Sequence, residues 1–318
     1  MSNKSKRSKK RYQNKAPEPT PVSTIEVILR SARPNFLLLT VAIMLMTFAI
    51  AYYQKVDLSA VKALLVIVAA ILAHLAVNWL NEAQDFESGL DLSTLKTPFS
   101  GGSGALPSNP HALKRVKQAG FLSLFGVIVI GVILVWLTGI ELFLLGGLGL
   151  LIIVTYTQFI TKRPWLCLIS PGLAFGPIMM VGSYYVLSGE FNWMVFLLSS
   201  VPFFLVNNLL LLNQIPDLEA DKKVGRFNVL MLLGLEDGIQ LFAAFNWLAF
   251  ISLGLVYWWF DLPSYVALGF LSLLIVFPML RQLQLYYATN DKLMPVLTMN
   301  VIITMLTPVL IALGFVIR

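Results

Sequence analysis

Residues 59–91 read SAVKALLVIVAAILAHLAVNWLNEAQDFESGLD, and the break near residue 80 decides what kind of protein this is. From Ser59 to Leu80 the run is apolar apart from Lys62, His74 and Asn78. Beyond it come Asn81, Glu82, Asp85, Glu87 and Asp91. An α-helix needs about 20 mostly apolar residues to cross the hydrocarbon core of a bilayer, and 59–80 supplies them. Its apolar residues do not alternate with polar ones, which excludes a barrel strand and leaves a helix that satisfies its own backbone in lipid. Eight further stretches read the same way: 35–53, 119–137, 141–161, 166–187, 193–212, 238–259, 264–283 and 294–317.

Composition agrees with that reading. Over 318 residues, 58% are hydrophobic and 12% charged, against roughly 45–50% and about 25% in soluble domains. Mean hydropathy is +0.79. These values exclude a water-soluble globule, a disordered chain and a disulfide-rich secreted scaffold. The expected fold is all-α: a polytopic membrane protein of about nine transmembrane helices in one bundle, spanning 25–318. Residues 1–24 read as a disordered cytoplasmic tail, polar and punctuated by Pro17, Pro19 and Pro21. The single cysteine, Cys167, excludes an internal disulfide and reads as a buried apolar residue. Two histidines, His74 and His111, are too few for a zinc or haem centre. His74 reads as a satisfied histidine inside the bundle.

The tail carries Lys4, Lys6, Arg7, Lys9, Lys10, Arg11 and Lys15 with no acidic residue among them. In a membrane chain such a run is a topology signal touching anionic lipid, so membrane lipids and no nucleic acid are the expected partners. With the N-terminus in the cytoplasm and nine spans, every basic residue except Lys55, Lys62 and Arg318 falls on the cytoplasmic side. The chain is therefore expected in the cell membrane, multi-pass, with its long polar loops in the cytoplasm.

Those two loops hold the chemistry. In the first, Asn81 and Asp85 are four apart and share a helix face, with Asn78 a turn behind. Gly89 is suited to close that helix, which would let Asp91 curl back beside Asp85. In the second, Asn213, Asp217 and Asp221 are spaced four and four on one face, and Pro216 interrupts the helix where it leaves the membrane. Paired carboxylates at a membrane surface are costly unless neutralised. Hard divalent cations do this, and Mg²⁺ is commonly held by one or two carboxylates plus substrate phosphates. Two such clusters, 132 positions apart (Asn81 to Asn213), predict two facing metal sites with a diphosphate between them. Lys162, Arg163, Lys222, Lys223 and Arg226 are the candidate cations for its oxygens.

Two Asn-led aspartate motifs in a nine-span bundle resemble the UbiA-type intramembrane prenyltransferases, from about Arg33 to the C-terminus. The likeness is closest to the 1,4-dihydroxy-2-naphthoate polyprenyltransferase branch. Asn81, Asp85, Gly89 and Asp91 match the spacing of its first motif. The run 172–177, then 182–185 and 188–189, is similar to its Gly-Pro and Gly-Thr-Tyr-Tyr signature. Asn213, Asp217, Asp221 and Gly225, followed by Leu232-Leu233-Gly234, resemble its second motif. Departures from the branch are Glu82 where Asp is common, Pro216 where Arg is common, and Gly225-Arg226-Phe227-Asn228-Val229 after the second motif.

The resemblance implies transfer of a polyprenyl group from its diphosphate to an aromatic acceptor, most simply the naphthoate of menaquinone synthesis. It implies Mg²⁺ at two sites, with Mn²⁺ as an alternative. Asp85, Asp91, Asp217 and Asp221 would be the catalytic ligands, with Asn81 and Asn213 completing the metal sets. Lys162, Arg163, Lys222 and Arg226 would bind the diphosphate. Asn78, Tyr156, Tyr184 and Tyr185 would line the prenyl or acceptor pocket. Two other readings stand beside it: a UbiA-type terpene cyclase, and an ion-coupled secondary transporter. Transporters place carboxylates near the bilayer midplane, whereas these lie at one face among basic residues.

Overall fold

The computed structural model describes residues 22–94, 101–287 and 290–317, so the basic tail expected over 1–24 lies outside it but for 22–24. Its main helices are α1 (Thr24–Ser31), α2 (Pro34–Tyr53), α3 (Ala60–Glu87), α4 (Leu113–Thr138) and α5 (Leu142–Thr155). They continue as α6 (Pro164–Ser188), α7 (Trp193–Asn213), α8 (Leu235–Trp259), α9 (Ser264–Tyr286) and α10 (Asn290–Ile317). No strand occurs among the described residues.

All nine apolar stretches form helix, and among the described residues eight helices are long and apolar enough to cross a membrane. The exception is α5. Its 14 residues rise about 21 Å, short of a hydrocarbon core of about 30 Å. The outer surface suits lipid: Trp136, Leu144 and Trp258 are largely exposed. The interior is filled by Leu198, Leu205, Phe242, Leu253 and Phe315, all fully buried. In this packing α3 lies along α4, α7 runs against α6, α8 and α10, and α10 packs on α2.

Two local devices shape the bundle around the site. Helix α6 contains Pro171 and Pro177 and widens to a π-helix over Ala174–Val181. Proline withdraws a backbone donor and disrupts the i→i−4 ladder. Here Gly172 N donates instead to Asn207 Oδ1 of α7 at 2.6 Å. A Cβ on Gly172 would fall 2.3 Å from both Asn207 Oδ1 and the Phe203 carbonyl. The glycines of that stretch are thus explained by two helix backbones in contact. The second device is a pair of left-handed glycines. Gly89 (φ 79°) closes α3 and starts the short helix Leu90–Ser93; Gly225 (φ 76°) follows the short helix Leu218–Lys223. Each turns a polar segment back over the helix end it has just left.

Candidate active site

The two motifs meet. Asn81, Asp85 and Asp91 from α3 and its following turn, and Asn213, Asp217 and Asp221 from α7 and its following helix, line one cavity of about 820 Å³. Asp85, Asp91 and Asp221 are buried. The helix ends at Glu87, Gly89 turns, and Asp91 comes back to the cavity wall, as the spacing predicts. Pro216 lies in turns between α7 and Leu218–Lys223, so Asp217 and Asp221 leave the α7 axis yet still face the same space.

Arg226 joins the motifs. Its guanidinium bonds Asp85 of the first and, at 3.3 Å, Asp221 of the second. The turn at Gly225 makes this reach possible, and the Arg226 amide also bonds the Asp221 carbonyl. Burial works against the arginine's charge, but Asp85 and Asp221 outweigh it and hold its pKa above the ordinary value. For Asp221, burial raises the pKa against the pull of Arg226. Asp217 has less help. Burial, then the charge of Asp221, push its carboxyl up to about 7, while a hydrogen bond from Gly101 N to its Oδ2 (3.2 Å) pulls the other way.

A second ion pair sits beside the first. Arg33, at φ 51° just before Pro34, donates to the fully buried Glu82 at 2.9 Å. Glu82 also accepts from the Ser103 amide (3.0 and 3.1 Å) and the Ser103 hydroxyl. The glycine-rich segment 101–104 is thereby clasped over the carboxylates. Gly102 lies so close to Asp91 that a Cβ there would fall 2.5 Å from Asp91 Oδ1. Glu82, the departure from the family's Asp, holds this segment and does not line the cavity.

The remaining expected site residues divide. Asn78 and Tyr156 line the cavity, and Asn81 donates to Thr157 Oγ1 at 3.1 Å. Lys162, Arg163 and Lys222 are exposed and absent from the lining. Arg163 stacks on the Phe159 ring at 3.4 Å and donates to the Phe159 carbonyl. Among the described residues the cations lining the polar end are Arg33 and Arg226. Tyr184 is buried in the main core near Asn192, and Tyr185 donates to Glu141 Oε2 at 3.0 Å; neither lines the cavity. The reason is the face they present: Gly182, Ser183 and Val186 of the same turns line the cavity, while Tyr184 turns into the main core and Tyr185 toward Glu141. Arg33 and Asn228, which no motif in the sequence singles out for the site, also line the cavity, as do Gly101 and Gly102.

Away from the carboxylates the cavity is apolar, with Val66, Ala70, Leu134, Ile152 and Phe175 in its wall. Gly131, Gly146 and Gly147 widen it; no atom lies within 4 Å of where their Cβ would be. Ile128, Val132 and Phe143 line it while remaining exposed on the outer surface, so this end opens sideways between α4 and α5. One cavity therefore offers an anionic head site and a long apolar branch reaching the lipid face.

The donor set fits a hard divalent cation: carboxylate and amide oxygens, among which Asp217 Oδ1 and Asn213 Oδ1 are buried and accept no hydrogen bond. Among the described residues no three Asp, Glu, His or Cys side chains are gathered closely enough to hold a metal. Arg226 stands between Asp85 and Asp221.

The UbiA prenyltransferase family model matches residues 37–303. A 1,4-dihydroxy-2-naphthoate octaprenyltransferase of Bacillus subtilis (strain 168) is 30% identical over 230 residues, covering 71% of this chain and 72% of that protein. The fold is similar to a digeranylgeranylglyceryl phosphate synthase (TM-score 0.68, 15% identity, 93% of this chain, 100% of that one). It is also similar to a UbiA homologue from Archaeoglobus fulgidus bound to GPP and Mg²⁺ (TM-score 0.57, 15% identity, 90% of this chain, 99% of that one).

Proposed function

The chain belongs to the UbiA prenyltransferase family and is a multi-pass membrane prenyltransferase, and we propose that it transfers a polyprenyl group from its diphosphate to 1,4-dihydroxy-2-naphthoate. The observation that carries this reading is the meeting of two Asn-led carboxylate clusters at the polar end of an apolar, laterally open cavity. The naphthoate acceptor is supported by the Bacillus subtilis relative and by the spacing of Asn81, Asp85, Gly89 and Asp91.

Asp85, Asp91, Asp217 and Asp221, with Asn81 and Asn213, would hold divalent cations, two Mg²⁺ in the simplest arrangement. Bound there, Mg²⁺ neutralises charge on a departing diphosphate and so eases cleavage of the allylic C–O bond. The protein does the rest. Arg226 exchanges one or both of its carboxylates for diphosphate oxygens, which frees Asp85 and Asp221 as ligands. Arg33 adds a second positive charge at the same end. The clasped 101–104 segment covers the head site from water. Tyr156 offers a π-face to allylic positive charge. A carbon–carbon bond then forms at the electron-rich acceptor ring, whose carboxyl group leaves as carbon dioxide. The polar end faces the cytoplasm, in keeping with the basic residues around it.

Purified protein is assayed for diphosphate release from geranylgeranyl diphosphate with Mg²⁺, with and without 1,4-dihydroxy-2-naphthoate. Release that requires both metal and naphthoate, and is lost in Asp85→Ala and Asp217→Ala, is expected. Metal-dependent release without an acceptor points to cyclisation. No turnover of any prenyl diphosphate by folded protein overturns the proposal.

A further inference from the structure

His74 is an ionisable side chain in the middle of a membrane helix, a placement that is costly and usually serves a purpose. It lies on the cavity-lining face of α3, in register with the site: 74, 78, 81 and 85 follow one another at helical spacing, and all four line the cavity. The residue is 6% exposed. Its Nδ1 is 2.7 Å from Thr40 Oγ1 of α2. Its ring packs edge-on to Phe175 of α6, with centroids 5.0 Å apart and planes at 76°. Three helices thus fix the imidazole.

Thr40 shows which way the hydrogen bond runs. On the same helix Thr47 turns its hydroxyl back to the Ile43 carbonyl, as Thr304 and Thr307 do to theirs on α10. Thr40 makes no such bond, and its hydroxyl meets His74. We assign its proton to that contact, so Nδ1 accepts and Nε2 carries the ring N–H. No hydrogen bond to Nε2 occurs among the described residues, and the side chain lines the cavity. A donor is therefore held at the cavity wall, beside Phe175 and one turn beyond Asn78 from the carboxylates. A prenyl tail has nothing to accept it; an oxygen on an aromatic ring does.

Spacing places that oxygen on the acceptor. His74 and Asp85 are eleven positions apart on α3, about 16 Å of rise. That interval accommodates a diphosphate next to the carboxylates, a reacting gap of about 3–3.5 Å, and one bicyclic ring. We propose that His74, oriented by Thr40 and Phe175, donates its Nε2–H to a ring oxygen of the aromatic acceptor and so fixes which ring carbon faces the prenyl group. The inference rests on the naphthoate transferase reading above.

The test measures KM for 1,4-dihydroxy-2-naphthoate and for geranylgeranyl diphosphate separately, in wild type, His74→Phe, His74→Gln and Thr40→Val. His74→Phe keeps a ring and removes the donor. It should raise the acceptor KM about tenfold or more, because a site built to bond an oxygen loses most when that bond is removed. The KM for the prenyl diphosphate should stay within about twofold, which also reports an intact fold. His74→Gln restores an N–H donor and should recover most of the acceptor KM. Thr40→Val should fall between them. An unchanged acceptor KM in His74→Phe, or an equal rise in both KM values that His74→Gln fails to rescue, overturns the inference and leaves the transferase reading standing. Wild type that consumes no naphthoate overturns both.

Discussion

Replacing Glu82 by glutamine separates a metal ligand from a structural clasp. The side chain is fully buried, accepts from the Ser103 amide and hydroxyl, and pairs with Arg33 at 2.9 Å. Glutamine keeps the shape, removes the charge and turns one oxygen into a donor. That donor faces either Arg33 or Ser103, so at least one bond to a charged group is lost and the other weakened. Such bonds contribute about 1.5–3 kcal/mol each. Local opening of the 101–104 segment should then become easier by about 3 kcal/mol, or roughly a hundredfold in amide exchange at Ser103. Removing one partner of a buried pair costs about 3–5 kcal/mol in global stability. Arg33 is a quarter exposed, which argues for the lower end. Hydrogen exchange on the protein in nanodiscs, read on a peptide containing Ser103, measures the first quantity. The Mg²⁺ concentration for half-maximal diphosphate release measures the other role. Faster exchange with a half-saturation value within about threefold is expected. Unchanged exchange with a large rise in that value would refute the clasp and make Glu82 a ligand.

Three further outcomes follow from the same geometry. Lys162→Ala and Lys222→Ala should leave the KM for prenyl diphosphate within about twofold, whereas Arg226→Ala should lower kcat/KM at least a hundredfold, because Arg226 bonds a carboxylate of each motif while Lys162 and Lys222 do not line the cavity. Gly147→Phe should fill the apolar branch, where a Cβ meets no atom within 4 Å; kcat/KM should hold within about threefold for geranyl diphosphate and fall tenfold or more for octaprenyl diphosphate. Gly172→Ala should lower the thermal midpoint measurably, since its Cβ would strike the Phe203 carbonyl at 2.3 Å and overpacking of this kind costs about 1–3 kcal/mol.

The helices were legible because lipid makes the signal coarse: a long apolar run permits few alternatives. The limits of the runs were less so. For α3 the closing Gly89 gave the end better than the apolar run did: the run stops at Leu80, but the helix continues to Glu87 and carries Asn81 and Asp85. The 141–161 stretch gives a 14-residue helix because turns and a 3₁₀ segment at Ile160–Lys162 take up its end. Motif spacing located the carboxylates, since a four-residue step and a closing glycine are local facts. The cations were harder. Lys162 and Arg163 stand in the right loop, but sequence position does not say where a side chain points, and Arg163 turns to Phe159. Arg33 read only as a basic residue before a span; its partner is 49 positions away. Tyr184 and Tyr185 sit in a family-like signature, but Tyr184 packs in the core and Tyr185 bonds Glu141, while Gly182, Ser183 and Val186 beside them face the cavity.

The apolar branch of the cavity has a consequence for what holds a long-chain substrate in place. Moving a methylene from water into protein is worth about 0.8 kcal/mol, but a tail entering between α4 and α5 comes from lipid, not water. Lipid tails are as apolar as the residues of that wall, so the transfer is close to neutral however long the chain is. On the proposed reading, retention would then depend on the charged head, held at the end where Arg33 and Arg226 line the cavity. Cleavage removes that head. The product keeps a tail with no preference between cavity and bilayer, and it drifts out by the way the substrate came in.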